Sequence, residues 1–334
     1  MVDPAIYTVG WICAMETEYI AAQCFLNERH EKPGSLSAHD NNHYTLGNIA
    51  GHNVAIAVLP DGEYGISSAT AIVKDMLHSF PNIRIGLLVG VGGGVPSARH
   101  DIRLGDIVVS SPGSGSGGVF QYDFGKTIQN QAFQTTGFLN QPPPILRTAL
   151  AGLGARYRSD GHKIEDTIND ILTTKERLRQ DFQRPDPRTD RLYKSKVVHH
   201  QMDEDCSTCC GDDPTKLVPR RQRREGEDNP VVHRGVIASA NQLMKDAVVR
   251  DRLAAEKDVL CFEMEAAGLM NQFPCLIIKG ICYYSDSHKN KTWEGYAAMT
   301  AAAYARDLLS EIVPDRIKDE GRIVEIPGVL DFSK

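Results

Sequence analysis

Short β-prone runs and helical patterns alternate along this chain. Ile6–Cys13, Tyr44–Ile49, Val54–Leu59, Ile83–Val89, Asp106–Ser110, Val232–Ala238 and Cys275–Cys282 read as strands. Thr17–Leu26, Ile66–Phe80, Asn241–Ala255, Glu263–Gln272 and Trp293–Ile312 have helical spacing. In the second of these, Ile66, Ala69, Val73, Met76 and Leu77 share one face. Consecutive parallel strands need crossover helices. The alternation therefore predicts a single α/β domain with a mainly parallel or mixed central sheet flanked by helices. Ligands in such sheets gather at the carboxyl ends of the strands, so the residues just after each strand matter most.

A length of 334 residues would suit two domains, but charge is unevenly distributed. Of the 77 residues in 155–231, 32 are charged, against 48 of the other 257. This middle stretch reads as a charged, solvated insertion, partly helical around Ile164–Arg179, in a domain spanning 5–315 with a tail at 316–334. No internal repeat is evident. A net charge of −6 argues against a general grip on nucleic acid. No apolar run reaches the roughly 18 residues that a membrane helix needs, and Met1-Val2-Asp3-Pro4 lacks the features of a signal peptide. Eight cysteines are too few for a disulfide scaffold. The expectation is a cytoplasmic protein with reduced thiols, binding neither nucleic acid nor membrane.

Four strand ends carry chemistry. Ala14-Met15-Glu16-Thr17-Glu18 opens a helix, where acids complement the macrodipole or, with a second carboxylate across a site, act on a ligand. Gly90-Val91-Gly92-Gly93-Gly94 lets backbone approach a ligand closely, but fits neither a Walker loop nor a dinucleotide fingerprint. Glu263-Met264-Glu265 precedes Ala266-Ala267-Gly268; acids beside so apolar a helix start are costly without partners, and a ribose diol would suit one of them. Ser285-Asp286 ends the last strand, either as a turn or as a proton donor to a bound base.

Taken in order, these pieces resemble the nucleoside phosphorylase/nucleosidase family, which includes purine nucleoside phosphorylases and methylthioadenosine/S-adenosylhomocysteine nucleosidases. The matching segments are Gly10–Glu18, Gly65–Ala71, Gly90–Gly94, Leu104–Ser110, Gly235–Asn241, Phe262–Ala267 and Ser285-Asp286. Several stretches look like the family's fungal branch, which often forms the front domain of larger receptor-like proteins. With no ATPase or repeat region in this sequence, a stand-alone version is expected. The resemblance implies cleavage of a ribose–base bond through an oxocarbenium-like transition state, with no cofactor and a homo-oligomeric assembly.

By the same resemblance, Glu265 holds the ribose hydroxyls, with Met264 under the sugar and Glu263 beside them. Glu18 activates water. Val91, Gly92 and Gly93 lie beside base and sugar, Leu243 packs on the base, and Ser285 and Asp286 stand at the departing base. Two registers are open at this last position. In that of the hexameric purine phosphorylases, Asp286 is the acid. In that of methylthioadenosine nucleosidase, Tyr283 replaces it and leaving-group assistance is impaired. Fungal relatives tend to carry Arg and Asp where this chain has Lys279 and Tyr283.

A phosphate dianion needs cationic donors. The N-terminal motif offers Glu16 and Glu18, and Val91 stands where phosphorylases commonly place a phosphate-binding Ser. The expected activity is hydrolysis of a purine nucleoside by water. A phosphate-dependent phosphorylase and an inactive nucleoside-binding sensor remain as alternatives. The base is not specified. His199, His200 and the Cys206–Cys209 pair have zinc-like spacing, but such a pair in a charged loop is more often two free thiols, and no metal is expected. Arg220–Arg224 reads as a solvated loop, and His288–Lys291 could reach a substrate phosphate or be solvated.

Overall fold

The computed structural model describes residues 2–113, 115–199, 206, 210–211, 213–224, 227–288, 291–326 and 329. The strands are β1 (Val9–Cys13), β2 (Glu28–Arg29), β3 (His43–Ile49), β4 (His52–Val58), β5 (Ile85–Gly94), β6 (Ile107–Ser110), β7 (Val119–Gln121), β8 (Gly125–Lys126), β9 (Gln134–Thr135), β10 (Val232–Ser239), β11 (Val259–Glu263) and β12 (Cys275–Tyr283). The helices are α1 (Glu16–Cys24), α2 (Ile66–Ser79), α3 (Pro144–Asp160), α4 (Ile164–Thr174), α5 (Arg179–Phe182), α6 (Ala247–Lys257), α7 (Ala266–Leu269), α8 (Glu294–Ser310) and α9 (Pro314–Asp319).

One mixed sheet runs β11-β10-β6-β12-β5-β1-β4-β3-β2, with β7 alongside β10. β1 lies between β4 and β5, parallel to both, and β12 continues parallel to β5. β1, β5 and β12 have almost wholly buried residues, as strands covered on both faces require. Antiparallel pairs arise at the β3–β4 hairpin, at β12–β6 and at β11–β5. The hairpin turns through Ala50 and Gly51, both at positive φ, as a tight two-residue connection demands. The fold is thus a single α/β domain with a mixed sheet flanked by helices.

The segment Gly90–Gly94, expected as a loop, is the end of β5. It crosses to pair antiparallel with β11 at Gly93–Phe262 and Gly94–Cys261. The 155–231 stretch differs from the expected solvated excursion. Ile164, Ile168, Leu172 and Phe182 are buried in the main core, where α3, α4 and α5 pack on α8. Two arginines of the basic run are also docked. Arg223 pairs with the fully buried Asp106, which His233 also contacts, and Arg220 pairs with Asp190 and donates to the Tyr284 hydroxyl. The tail contributes Ile317 and Ile323 to the core. Among the described residues, no helix is long and apolar enough to cross a membrane.

Candidate active site

The carboxyl ends of β1, β4, β5, β10, β11 and β12 surround a cavity of about 910 Å3. That is ample for a nucleoside, within the roughly 300–1,000 Å3 of small-molecule sites. Of the residues singled out by sequence, Glu18, Val91, Gly92, Leu243, Glu263, Met264 and Glu265 line it.

Glu18 lies in the first turn of α1, where its carboxylate closes the helix start. Its Oε2 accepts from the N–H groups of Ala14 (2.6 Å) and Met15 (3.1 Å), and its Oε1 from that of Val91 (2.7 Å). A side chain at Gly90 would displace this carboxylate, because a Cβ there would lie 2.1 Å from Glu18 Oε1. The glycine of β5 is therefore the space that admits the carboxylate. Glu18 is only 4% exposed, and burial pushes its pKa up to about 7. The nearby Glu265 adds to the rise, while Lys279 and the N–H groups of Val91 and Ala14 oppose it.

The other two acids share one cation. Lys279, on β12 and 1% exposed, stands 3.4 Å from Glu263 and 3.6 Å from Glu265. Burial alone would lower the Lys279 pKa, but Glu263, Glu265 and Glu18 outweigh it and raise it. Burial raises the Glu263 carboxyl, against the pull of Lys279. Glu263 also caps α7, accepting from the N–H groups of Glu265 and Ala266. Glu265 accepts from the N–H of Gly65 at 3.2 Å, which ties the loop after β4 to the cavity floor. The expectation that these acids need partners is met by Lys279, whose role as their counter-ion the sequence did not show.

The remaining three expected residues are not brought to the cavity. Asp286 lines a separate space of about 180 Å3 with Tyr193, Cys206 and His288. It faces Arg250 at 3.9 Å and the His288 ring at 3.6 Å, and accepts from the His288 N–H at 2.9 Å. Ser285 is fully buried at positive φ, and Gly93 lies against it: a Cβ there would be 2.2 Å from Ser285 Oγ and 2.6 Å from Tyr283 Cζ. The chain turns sharply after β12, so Tyr283 and not Asp286 presents itself to the cavity. Burial raises the Tyr283 phenol well above its ordinary value, leaving it neutral.

Sequence reasoning also missed Asp61, Glu63 and Tyr64, which line the cavity from the loop after β4. The strand-end rule could have found them. Seven acids line the cavity (Glu16, Glu18, Asp61, Glu63, Glu263, Glu265 and Glu294), and no Lys, Arg or His is among its described lining residues. Lys279 sits behind the wall. Of the His288–Lys291 segment, Lys289 and Asn290 lie outside the described residues, and His288 lines the Asp286 space instead.

No family model matches the chain. It is 44% identical over 315 residues to a nucleotide-binding leucine-rich repeat (NLR)-like protein of Hyaloscypha variabilis, a match covering 94% of this chain and 30% of that protein. The chain thus spans less than a third of that relative. Among solved structures, the 5′-methylthioadenosine/S-adenosylhomocysteine nucleosidase of Neisseria meningitidis in complex with methylthio-immucillin-A superposes with a TM-score of 0.57 at 14% identity, over 91% of this chain and 99% of that one. Futalosine hydrolase of Helicobacter pylori gives 0.55 at 15% identity, over 92% and 99%. The nucleosidase of Streptococcus pneumoniae with 8-aminoadenine gives 0.55 at 15%, over 91% and 100%. The resemblance drawn from the ordered motifs is met at the level of architecture: this chain has the α/β fold of these nucleosidases.

Proposed function

We propose that the chain is an N-ribosyl hydrolase that cleaves the ribose–base bond of a purine nucleoside with water as nucleophile. The observation that carries this reading is the Glu18 carboxylate. It is buried at a cavity wall, oriented by three backbone N–H groups, and has its pKa pushed up to about 7. A base poised near neutrality is what deprotonation of an attacking water requires. Glu265 faces the same cavity and supplies an acceptor for ribose hydroxyls, with Met264 beneath the sugar and Glu263 holding the start of α7. As positive charge develops on the ribose, this acidic wall stabilises it more than it stabilises the neutral substrate.

Hydrolysis is favoured over phosphorolysis by the same charge count. A phosphate dianion would enter a cavity whose described lining carries seven acidic residues and no Lys, Arg or His, and Lys279 behind the wall is already shared by Glu263 and Glu265. At the base end, we assign a hydrogen bond to the departing purine to the neutral Tyr283 phenol, with Leu243 packing on the base and Val91 and Gly92 along its edge. A phenol is a weaker acid than a carboxyl group, so it assists the departing base less than a carboxyl group would. Asp286 would act only by holding the Arg250 and His288 side chains behind Tyr283.

The test is incubation with adenosine, inosine, guanosine and methylthioadenosine, with and without phosphate, reading free base and either ribose or ribose-1-phosphate. Base and ribose released without phosphate support the proposal; ribose-1-phosphate formed only with phosphate identifies a phosphorylase. Saturable binding without any base release identifies a sensor.

A further inference from the structure

His199, Cys206 and Cys210 come together at the junction of the 155–231 stretch with the end of β12. Their donor atoms all lie within 4.8 Å of one another, and all three residues are buried. His199 Nδ1 is 3.2 Å from Cys210 Sγ and 3.6 Å from Cys206 Sγ. A tetrahedral zinc with Zn–S of about 2.3 Å and Zn–N of about 2.0–2.1 Å sets the N···S edge at about 3.6 Å. The sequence spacing first suggested Cys206 with Cys209, but Cys209 lies outside the described residues. It is Cys210, one turn after Cys206 and donating its N–H to the Cys206 carbonyl at 3.0 Å, that shares the imidazole.

A second observation marks the same place. His288 is 8% exposed, and among the described residues neither of its ring nitrogens makes a hydrogen bond; Asp286 Oδ2 stands 3.6 Å from its Nδ1. Its ring stacks on Tyr193 at 4.0 Å and stands 5.8 Å from the His199 ring. A buried imidazole without hydrogen bonds is costly, and it adjoins the three donors. The cluster is also continuous with the strand end: His199 N–H donates to Ser287 Oγ at 2.9 Å, and Cys206 Sγ lies 3.7 Å from the His288 carbonyl.

We propose that His199, Cys206 and Cys210 hold a structural zinc ion, with its fourth position facing the His288 side. The ion clips the 155–231 stretch to the Asp286–His288 segment. Soft thiolates with one imidazole select zinc over hard cations, and none of the three donors is among the described residues lining the nucleoside cavity, so metal content is read separately from the proposed hydrolysis.

The test is metal analysis and X-ray absorption on the full chain, purified without chelator and dialysed against zinc. About one zinc per chain is expected, with two sulfur scatterers at about 2.3 Å and nitrogen in the remaining shell. Zinc below about 0.2 per chain overturns the proposal, because structural sites stay filled in folded protein. So does zinc held without sulfur. His199→Ala and Cys206→Ser, each checked for folding by circular dichroism, are expected to lose most of the metal; full retention in both also overturns it. Should either variant fail to fold, the wild-type stoichiometry and sulfur count decide alone.

Discussion

As the proposed base, Glu18 couples catalysis to stability. Its pKa near 7 lies above the 4.5 of a free Glu, so the folded state favours the protonated form. The stability this contributes is fully present below about pH 4.5 and is lost as pH rises through about 7. A shift of that size corresponds to about 3 kcal/mol. Glu18→Gln cannot titrate, and is therefore expected to lose this part of the fall in Tm between pH 5 and pH 8 and to slow turnover sharply. Thermal melts at pH 5 and pH 8 check this, and a fall in Tm between the two as large as that of wild type would contradict it. The base acts in its ionised form, so kcat/KM is expected to rise with pH through about 7 and then level off. A profile flat from pH 5 to 8 would remove Glu18 as the base. At the other end of the substrate, Tyr283→Phe is expected to slow base release, whereas Asp286→Asn leaves release largely intact. A loss of the opposite pattern would restore Asp286 as the acid.

At the scale of elements, the strand positions were legible in sequence because buried parallel strands are short apolar runs bounded by turns. What the sequence could not show was decided by contacts distant along the chain. Gly90–Gly94 looked like a loop because glycine has low strand propensity, yet β5 runs through it and pairs with β11. Val259–Glu263, absent from the strands read in sequence, is that pairing strand. The helix expected from Asn241 begins at Ala247, where Asp246 caps it by accepting from the N–H groups of Val248 and Val249. That leaves Asn241–Met244 as a loop lining the cavity. Most site residues were readable because strand ends gather ligands. The orientation of the Tyr283–Asp286 turn was not, because a one-residue change of face is invisible in composition. Gly90→Ala tests the fit between β5 and α1. The added methyl displaces the Glu18 carboxylate, and overpacking of this kind costs about 1–3 kcal/mol. Turnover is expected to fall as it does in Glu18→Gln; wild-type turnover in the alanine variant would show that the carboxylate has room elsewhere.

For the molecule as a whole, the charged middle is part of the domain. The sequence measured its charge correctly but could not see that its apolar minority, including Ile164, Ile168 and Leu172, faces α8. Nor could it pair Arg223 with Asp106, 117 positions away. Asp106 accepts from the N–H groups of Arg103 and Val231 and from Arg223 and His233. Burial alone would raise its carboxyl, but the Arg223 and His233 interactions outweigh it and hold the pKa low. Arg223→Ala removes the guanidinium from a buried carboxylate and leaves it His233 and two backbone N–H groups, so a cost of up to about 3–5 kcal/mol is expected. Denaturant unfolding checks this, and a loss under about 1 kcal/mol, the range of exposed ion pairs, would show that the 155–231 stretch is not held by this pair.

The proposed reaction is cleavage of a nucleoside by water that Glu18 activates. Single-turnover base release by wild type and Glu18→Gln, in phosphate-free buffer with a bound purine nucleoside, tests it most directly. Wild type is expected to release base and ribose, and the variant to be slower by about 100- to 10,000-fold with nucleoside binding retained. Equal rates in the two proteins, or release by either only after phosphate is added, would contradict it.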